Sequence, residues 1–401
     1  MTVVRKSLVR TLTGALVVAG MTVGAAAFAR TPGVTDDEIL IGNVMPYSGP
    51  ASSLGVVGKA MAAYFQKIND EGGINGRRIN FLSVDDAYNP ARTVEQTRRL
   101  IERDDVLLTF GSLGTAQNMA VRKYMNAKKV PQLFVQSGAS HWATPEEFPW
   151  TMGWVPNYRA EGHAYAQHIL QAQPDAKIAV LYQNDDYGKD LRNGVLQGLG
   201  DKAKDLIVAE VTYEISDPTV DSQVVNLKGS GANVLISLST PKFAAQTIRK
   251  IGEMGWKPTH YLASAASSRA SVLVPAGVEN STGVLTARYL RDPSDHGEDS
   301  HPGMQEYKAW HAKYFSDQDV NDAIVGYSGA QTLVHVLEKA GDDLSRENVM
   351  KVAADMDFVL PLLYDGIRVK TGPDDYQPIE ALQLVRFTGK GFEKVDGVIG
   401  Q

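Results

Sequence analysis

Two short turns carry the residue types suited to holding an anion. Gly111-Ser112-Leu113-Gly114-Thr115 lies between an apolar run and a helical one. Glycine lets the backbone approach a ligand closely, and free amides at a helix start, with the hydroxyls of Ser112 and Thr115, can bind a carboxylate. The same residues also suit a tight turn and a helix cap. Gln136-Ser137-Gly138-Ala139-Ser140 repeats this chemistry after the next apolar run. Aromatic residues gather at comparable places: Tyr47 follows Met45-Pro46 and Tyr187 follows Asp185-Asp186, each offering apolar area with a polar tip. Trp150 and Trp154 fit either a pocket wall or a core anchor, and the core is expected for at least one of them.

Catalytic motifs fail on spacing. Gly58-Lys59 lacks the upstream glycine and following hydroxyl of a phosphate loop, and Gly198-Leu199-Gly200 follows a helical stretch, where it reads as a helix stop rather than a dinucleotide turn. Gly326-Tyr327-Ser328-Gly329 is one residue short of a nucleophile elbow. The acids and histidines of 295–301 read as a solvated loop, not a metal shell, and His163 and His168 fall on different helical faces. Asp85-Asp86 and Asp185-Asp186 read as caps and turn residues. No catalytic residue, metal site or cofactor is expected.

The elements that must position these residues alternate regularly. Runs at 39–44, 79–84, 106–110 and 132–135 read as buried strands, separated by helical spacing after 57, 90 and 115. Asn89-Pro90 supplies a cap and a first-turn proline. An irregular stretch from Gln136 to Tyr158 marks a crossing, after which strands at 177–182, 206–211 and 234–238 alternate with helices again. A strand at 283–287, helices near 303–315, 322–340 and 345–355 and a strand at 382–387 close the chain. The pattern predicts an α/β protein with two doubly wound, mostly parallel sheets, the chain crossing more than once between two lobes around a ligand cleft. The expected lobes are 37–156 plus 286–376 and 157–285 plus 377–401.

Composition bounds the function. The chain has 401 residues, 43% of them hydrophobic, and no cysteine, which excludes disulfides, thiolate metal sites and cysteine nucleophiles. Arg5, Lys6 and Arg10 precede an apolar run that ends in Ala27-Phe28-Ala29, the order of a secretory leader at 1–29 cleaved after Ala29. Glycines and threonines dilute that run below the requirement of a membrane anchor. Removing the leader takes three cations and no acid, so the net charge moves from −6 to −9. A mildly acidic chain without a basic stripe gives no footprint for nucleic acid.

Taken in order, Met45-Pro46-Tyr47-Ser48-Gly49-Pro50, Gly72-Gly73-Ile74-Asn75-Gly76, Asp85-Asp86-Ala87, Val130-Pro131 and Asn184-Asp185-Asp186-Tyr187-Gly188 resemble the periplasmic leucine/isoleucine/valine-binding protein family over nearly the whole mature chain. The resemblance implies a type I periplasmic binding fold, a monomer in the periplasm that captures a small molecule between lobes and delivers it to an ABC permease. It places the ligand carboxylate on Gly114-Thr115, a second anion-binding turn on Gly138-Ala139-Ser140, a side-chain pocket at Leu54, and contacts from the other lobe at Tyr187 and near Ser239.

One departure affects the ligand. The family's acidic partner for an ammonium falls within Ser264-Ala265-Ala266-Ser267-Ser268, which holds no acid, and a buried ammonium without a counter-charge is costly. The resemblance therefore leaves two ligands open: a branched-chain amino acid or related hydrophobic carboxylate, and an aromatic or aliphatic acid lacking an amine. A sensor without transport shares these features, and an exported hydrolase would need a nucleophile–base pair that the sequence does not supply.

Overall fold

The computed structural model describes residues 1–2 and 31–399, with the side chains of 396–399 excepted. The expected leader and its cleavage after Ala29 fall, beyond the first two residues, outside the described residues. No helix among the described residues is long and apolar enough to cross a membrane.

From Thr31 onward the chain is one compact unit. It opens with β1 (Glu38–Met45), α1 (Val56–Asp70), β2 (Arg78–Asp85), α2 (Pro90–Glu102), β3 (Leu108–Phe110), α3 (Thr115–Ala127), β4 (Gln132–Val135) and β5 (Thr151–Gly153). These strands form a five-stranded parallel sheet in the order β2-β1-β3-β4-β5. There follow α4 (Tyr158–Ala172), β6 (Ile178–Gln183), α5 (Asp186–Leu199), the short α6 (Ala203–Leu206), β7 (Ile207–Tyr213), α7 (Asp221–Gly229), β8 (Val234–Leu238), α8 (Pro241–Glu253), β9 (Thr259–Leu262), the short α9 (Val278–Ser281) and β10 (Leu285–Arg288). The chain ends with α10 (Pro302–Tyr314), α11 (Val320–Ala340), α12 (Arg346–Ala353), β11 (Asp357–Phe358), β12 (Val369–Lys370), β13 (Leu382–Phe387) and β14 (Phe392–Ile399). The second sheet has seven strands in the order β14-β13-β10-β9-β8-β6-β7, with β13 antiparallel to both neighbours.

Local chemistry sets the boundaries. The Asn89 side chain accepts from the amides of Ala91 and Arg92 at the start of α2, and the Asp185 carboxylate accepts from Gly188 at the start of α5. Central strands such as Val234–Leu238 are buried throughout, as a parallel sheet covered on both faces requires. Helices then meet at glycines. A Cβ at Gly326 of α11 would lie 2.2 Å from the carbonyl oxygen of Val57 on α1, and one at Gly162 of α4 would lie 2.3 Å from that of Leu191 on α5. α11 thus returns late chain to the first sheet's helix, while β13 and β14 return to the second sheet.

The structure adjusts several expectations. β10 is hydrogen-bonded within the second sheet, so the crossing expected at 286 falls after Arg288. Strand β5 lies in a stretch expected to be irregular, and β9 and β14 extend the second sheet; short strands and edge strands carry weak periodicity. Trp154 is fully buried at the first crossing, donates from Nε1 to Thr332 Oγ1 at 2.9 Å, and meets Tyr289 of the second crossing edge to face.

His260 on β9 is buried beside Ser237 Oγ, 2.9 Å from Nε2, and burial pushes its imidazole down to about 4 from 6.5. A depressed folded value means that its contribution is present above the unfolded value and lost as pH falls through the folded one. The urea midpoint is therefore expected to drop between pH 6.5 and 4, and His260→Gln should remove that part of the slope, on the order of a few kcal/mol.

Candidate functional site

The carboxyl ends of the strands in both sheets, and the helix starts that follow them, border one cavity with an empty volume of about 1250 Å³ including its mouth. That is where ligands bind in open α/β sheets. The first sheet contributes Leu54, Tyr88, Gly114, Thr115 and Gln136; the second contributes Tyr187, Thr240 and the stretch around Ser264–Ser268. Pro156, Tyr158 and Tyr289 come from the crossings, and Asn321 and Asp322 from the first turn of α11.

The expected anion turn at Gly114-Thr115 lines this cavity. Gly114 caps α3 with φ +107°, a conformation that favours glycine, and its amide is taken by the Gln136 carbonyl. The buried Thr115 hydroxyl lies 2.7 Å from Ser137 Oγ. Leu54 and Tyr187 line the cavity as well. Tyr187 meets Tyr158 edge to face at 5.1 Å, and its hydroxyl donates to the Ser239 carbonyl at 3.1 Å. Burial pushes both phenols far above their ordinary values, so the two rings are neutral donors.

The remaining expected residues support the cavity without lining it. Tyr47 packs under Gly55 and Gly58 and hydrogen-bonds Ser83, propping the turn that presents Leu54. Ser239 orients Tyr187 through its carbonyl. The second anion turn is already filled. Asp190 on α5 places Oδ2 2.7 Å from the Ser140 amide and Oδ1 2.9 Å from the Ser140 hydroxyl, and Arg159 Nε donates to Oδ1 at 2.7 Å. Gly138 and the fully buried Ala139 shape that turn: a Cβ at Gly138 would sit 2.0 Å from the Pro156 carbonyl oxygen. Ser140 thus binds a carboxylate of the protein itself, on a turn that Gly138 and Ala139 shape.

Two acids from other segments reach the stretch Ser264–Ser268. Glu161 of α4 lies behind the stretch, accepting from the Ser264 amide at 2.7 Å, the Ser264 hydroxyl at 2.6 Å and the Tyr165 hydroxyl at 2.9 Å. Asp322 of α11 lines the cavity and accepts from Ser268 Oγ at 2.6 Å. Burial raises the carboxyls of both. Sequence reasoning also missed Tyr88, which follows the Asp85-Asp86-Ala87 turn at φ +59°, and the guanidiniums of Arg269 and Arg288 at the cavity wall. A lone tyrosine after a turn, or an acid in a first helical turn, is an ordinary structural residue until the fold shows what it faces. Among the described residues no cluster of histidines and acids could hold a metal ion.

Comparison with known proteins accords with this geometry. A family model described as periplasmic binding protein matches residues 38–392. The chain belongs to the periplasmic binding protein family. This periplasmic binding protein is 26% identical over 343 residues to Leu/Ile/Val-binding protein homolog 7 of Brucella abortus (strain 2308), a match covering 81% of each chain. Its fold is similar to that of a branched-chain amino acid ABC transporter protein from Thermus thermophilus with bound valine, at TM-score 0.81 and 17% identity over 92% of this chain and 98% of that one. It is also similar to an ABC transporter solute-binding protein from R. palustris in complex with benzoate, at TM-score 0.77 and 19% identity over 90% and 96% of the two chains.

The Asp190 cluster gives a direct expectation for this periplasmic binding protein. Asp190→Ala leaves the half-buried Ser140 donors and the partly exposed Arg159 guanidinium without their shared acceptor, at a cost of about 1–2 kcal/mol. Urea unfolding measures it; a midpoint equal to that of the wild type would show that Asp190 does not hold the turn.

Proposed function

We propose that the protein is the extracytoplasmic substrate-binding component of an ABC importer, capturing a small hydrophobic carboxylate in the cavity between its two lobes. The observation that carries this reading is the composition of that cavity. One wall presents the Gly114-Thr115 turn, and the other presents Tyr187 and the serine-rich stretch after β9. A ligand bridging both walls stabilises the closed arrangement over the open one, and that population shift is what a membrane permease can read.

Thr115 and the first amides of α3 take the carboxylate, while Leu54, Tyr88, Tyr158 and Tyr187 take the apolar body. Valine and benzoate, bound in the Thermus and R. palustris structures, share this chemistry of one carboxylate on an apolar group. The lobes in this reading are 37–156 with the helices after Arg288, and 157–288 with the final strands. The mature protein acts as a monomer in the periplasm after removal of residues 1–29, with no catalytic step and no cofactor.

Thermal unfolding of protein refolded free of bound ligand tests the reading. A carboxylate at one hundred times its dissociation constant is expected to raise stability by about 2.7 kcal/mol. In calorimetry Thr115→Ala should weaken that ligand about tenfold, the loss of one hydrogen bond to a charged group. An unchanged affinity would remove Thr115 from the site.

A further inference from the structure

Protein atoms join the two sides of the cavity directly at three separate places. On one side stand the first sheet with α1 and α11, and on the other the second sheet with α4 and α5. Ser140, after β4, donates its amide to Asp190 Oδ2 at 2.7 Å and its hydroxyl to Oδ1 at 2.9 Å, and Asp190 lies on α5. Ser268, after β9, donates its hydroxyl at 2.6 Å to Oδ1 of Asp322 in the first turn of α11. Tyr88, after β2, turns its hydroxyl to the Gln183 side chain at the end of β6.

Their positions make these contacts sensitive to opening. β2 is the outer strand of the first sheet, at the far end from β5, after which the chain crosses. β6 lies next to the outer strand of the second sheet, away from β10, where the chain crosses again. Tyr88 and Gln183 thus meet at the rim that travels farthest when the two sides part. Each is held from its own side. The Asp86 carboxylate accepts from the Tyr88 amide at 2.8 Å and the Gln117 side chain donates to the Tyr88 carbonyl at 2.9 Å, while Gln183 accepts from the Tyr213 and Thr240 hydroxyls at 3.1 Å each.

We infer that the two serine–aspartate pairs, with Tyr88 at the rim, form a latch built into the fold that holds the two sides of the cavity together through protein atoms alone. The inference rests on the proposed two-lobed binding function and adds to it a contact that favours closure independently of the ligand. Both partners of each bond belong to the protein, so the stabilisation they give is the same whichever ligand enters. Arg159 donates to Asp190 from the same side at 2.7 Å and stays with it on opening, so only the bonds from Ser140 and Ser268 are exchanged for water. One hydrogen bond to a charged group shifts such an equilibrium by about tenfold. Ligand entry then waits on the release of Ser140 and Ser268.

Distances between two spin labels, measured by pulsed electron resonance on protein refolded free of ligand, test it. The chain has no cysteine, so Glu95→Cys on α2 and Asn226→Cys on α7, both exposed and on helices that follow the outer strands β2 and β7, carry the only two labels. The labelled protein is expected to show mainly the short separation of this structure. Adding Ser140→Ala and Ser268→Ala should lower the ratio of short to long separations about a hundredfold, as two independent tenfold losses, with a melting curve showing that the variant folds. A labelled protein found only at the long separation, or a distribution that the two serine changes leave unaltered, overturns the latch. Should the double variant not fold, each single change is read by itself against the same two outcomes. No ligand enters the measurement, so these outcomes leave the binding function standing; failure of every carboxylate to raise the melting temperature overturns that function instead.

Discussion

A carboxylate taken out of water must be met by donors, and around this cleft those donors come from distant segments. Asp190 of α5 is met by Ser140, which follows β4 of the first sheet, and by Arg159 at the crossing. Glu161 of α4 is met by Ser264, which follows β9. Asp322 of α11, a helix packed on α1, is met by Ser268 of the second sheet's loop. Each pairing joins elements far apart in sequence, and breaking one would leave a buried charge uncompensated. The desolvation cost of three acids thereby fixes how the loops around the cavity sit.

Close helix packing adds the second constraint. Gly162, Gly194 and Gly198 let α4 and α5 approach until side-chain carbons at those positions would collide with the partner's backbone, and Gly326 does the same between α11 and α1. These helices begin at the cavity, so their packing places Tyr158, Tyr187 and Asp322 on its wall. The cavity is lined largely by strand ends and first helical turns because a parallel sheet with helical crossovers puts both on the same edge. Rigid helix pairs set the position of each side chain, while the crossings at Trp154 and Tyr289 stay in contact through an edge-to-face pair.

Legibility followed the range of the interaction. The period-two and helical runs gave most of the long strands and helices because amphipathic burial is a local property; β5 and β9 interrupt their few apolar residues with threonine, glycine or histidine and carried no comparable signal. The turn at Gly114-Thr115 was readable because a strand, a glycine and a hydroxyl at a helix start are adjacent in the chain. Gly138-Ala139-Ser140 has the same local chemistry, yet its anion is Asp190, fifty residues away, which no local pattern discloses.

The sequence by itself determined the alternation of strands and helices, the absence of cysteine chemistry, the order of turns that resembles a binding-protein family, and the lack of an acid in Ser264–Ser268. Each of these is a property of residue identity and short spacing. Only the tertiary structure decided which turns face the cavity, that Tyr47 and Ser239 prop others instead of lining it, and that Asp322 of α11 reaches the cavity wall beside Ser268. Those are matters of which surfaces meet, and that depends on close packing among helices separated by more than one hundred residues in sequence, such as α1 and α11.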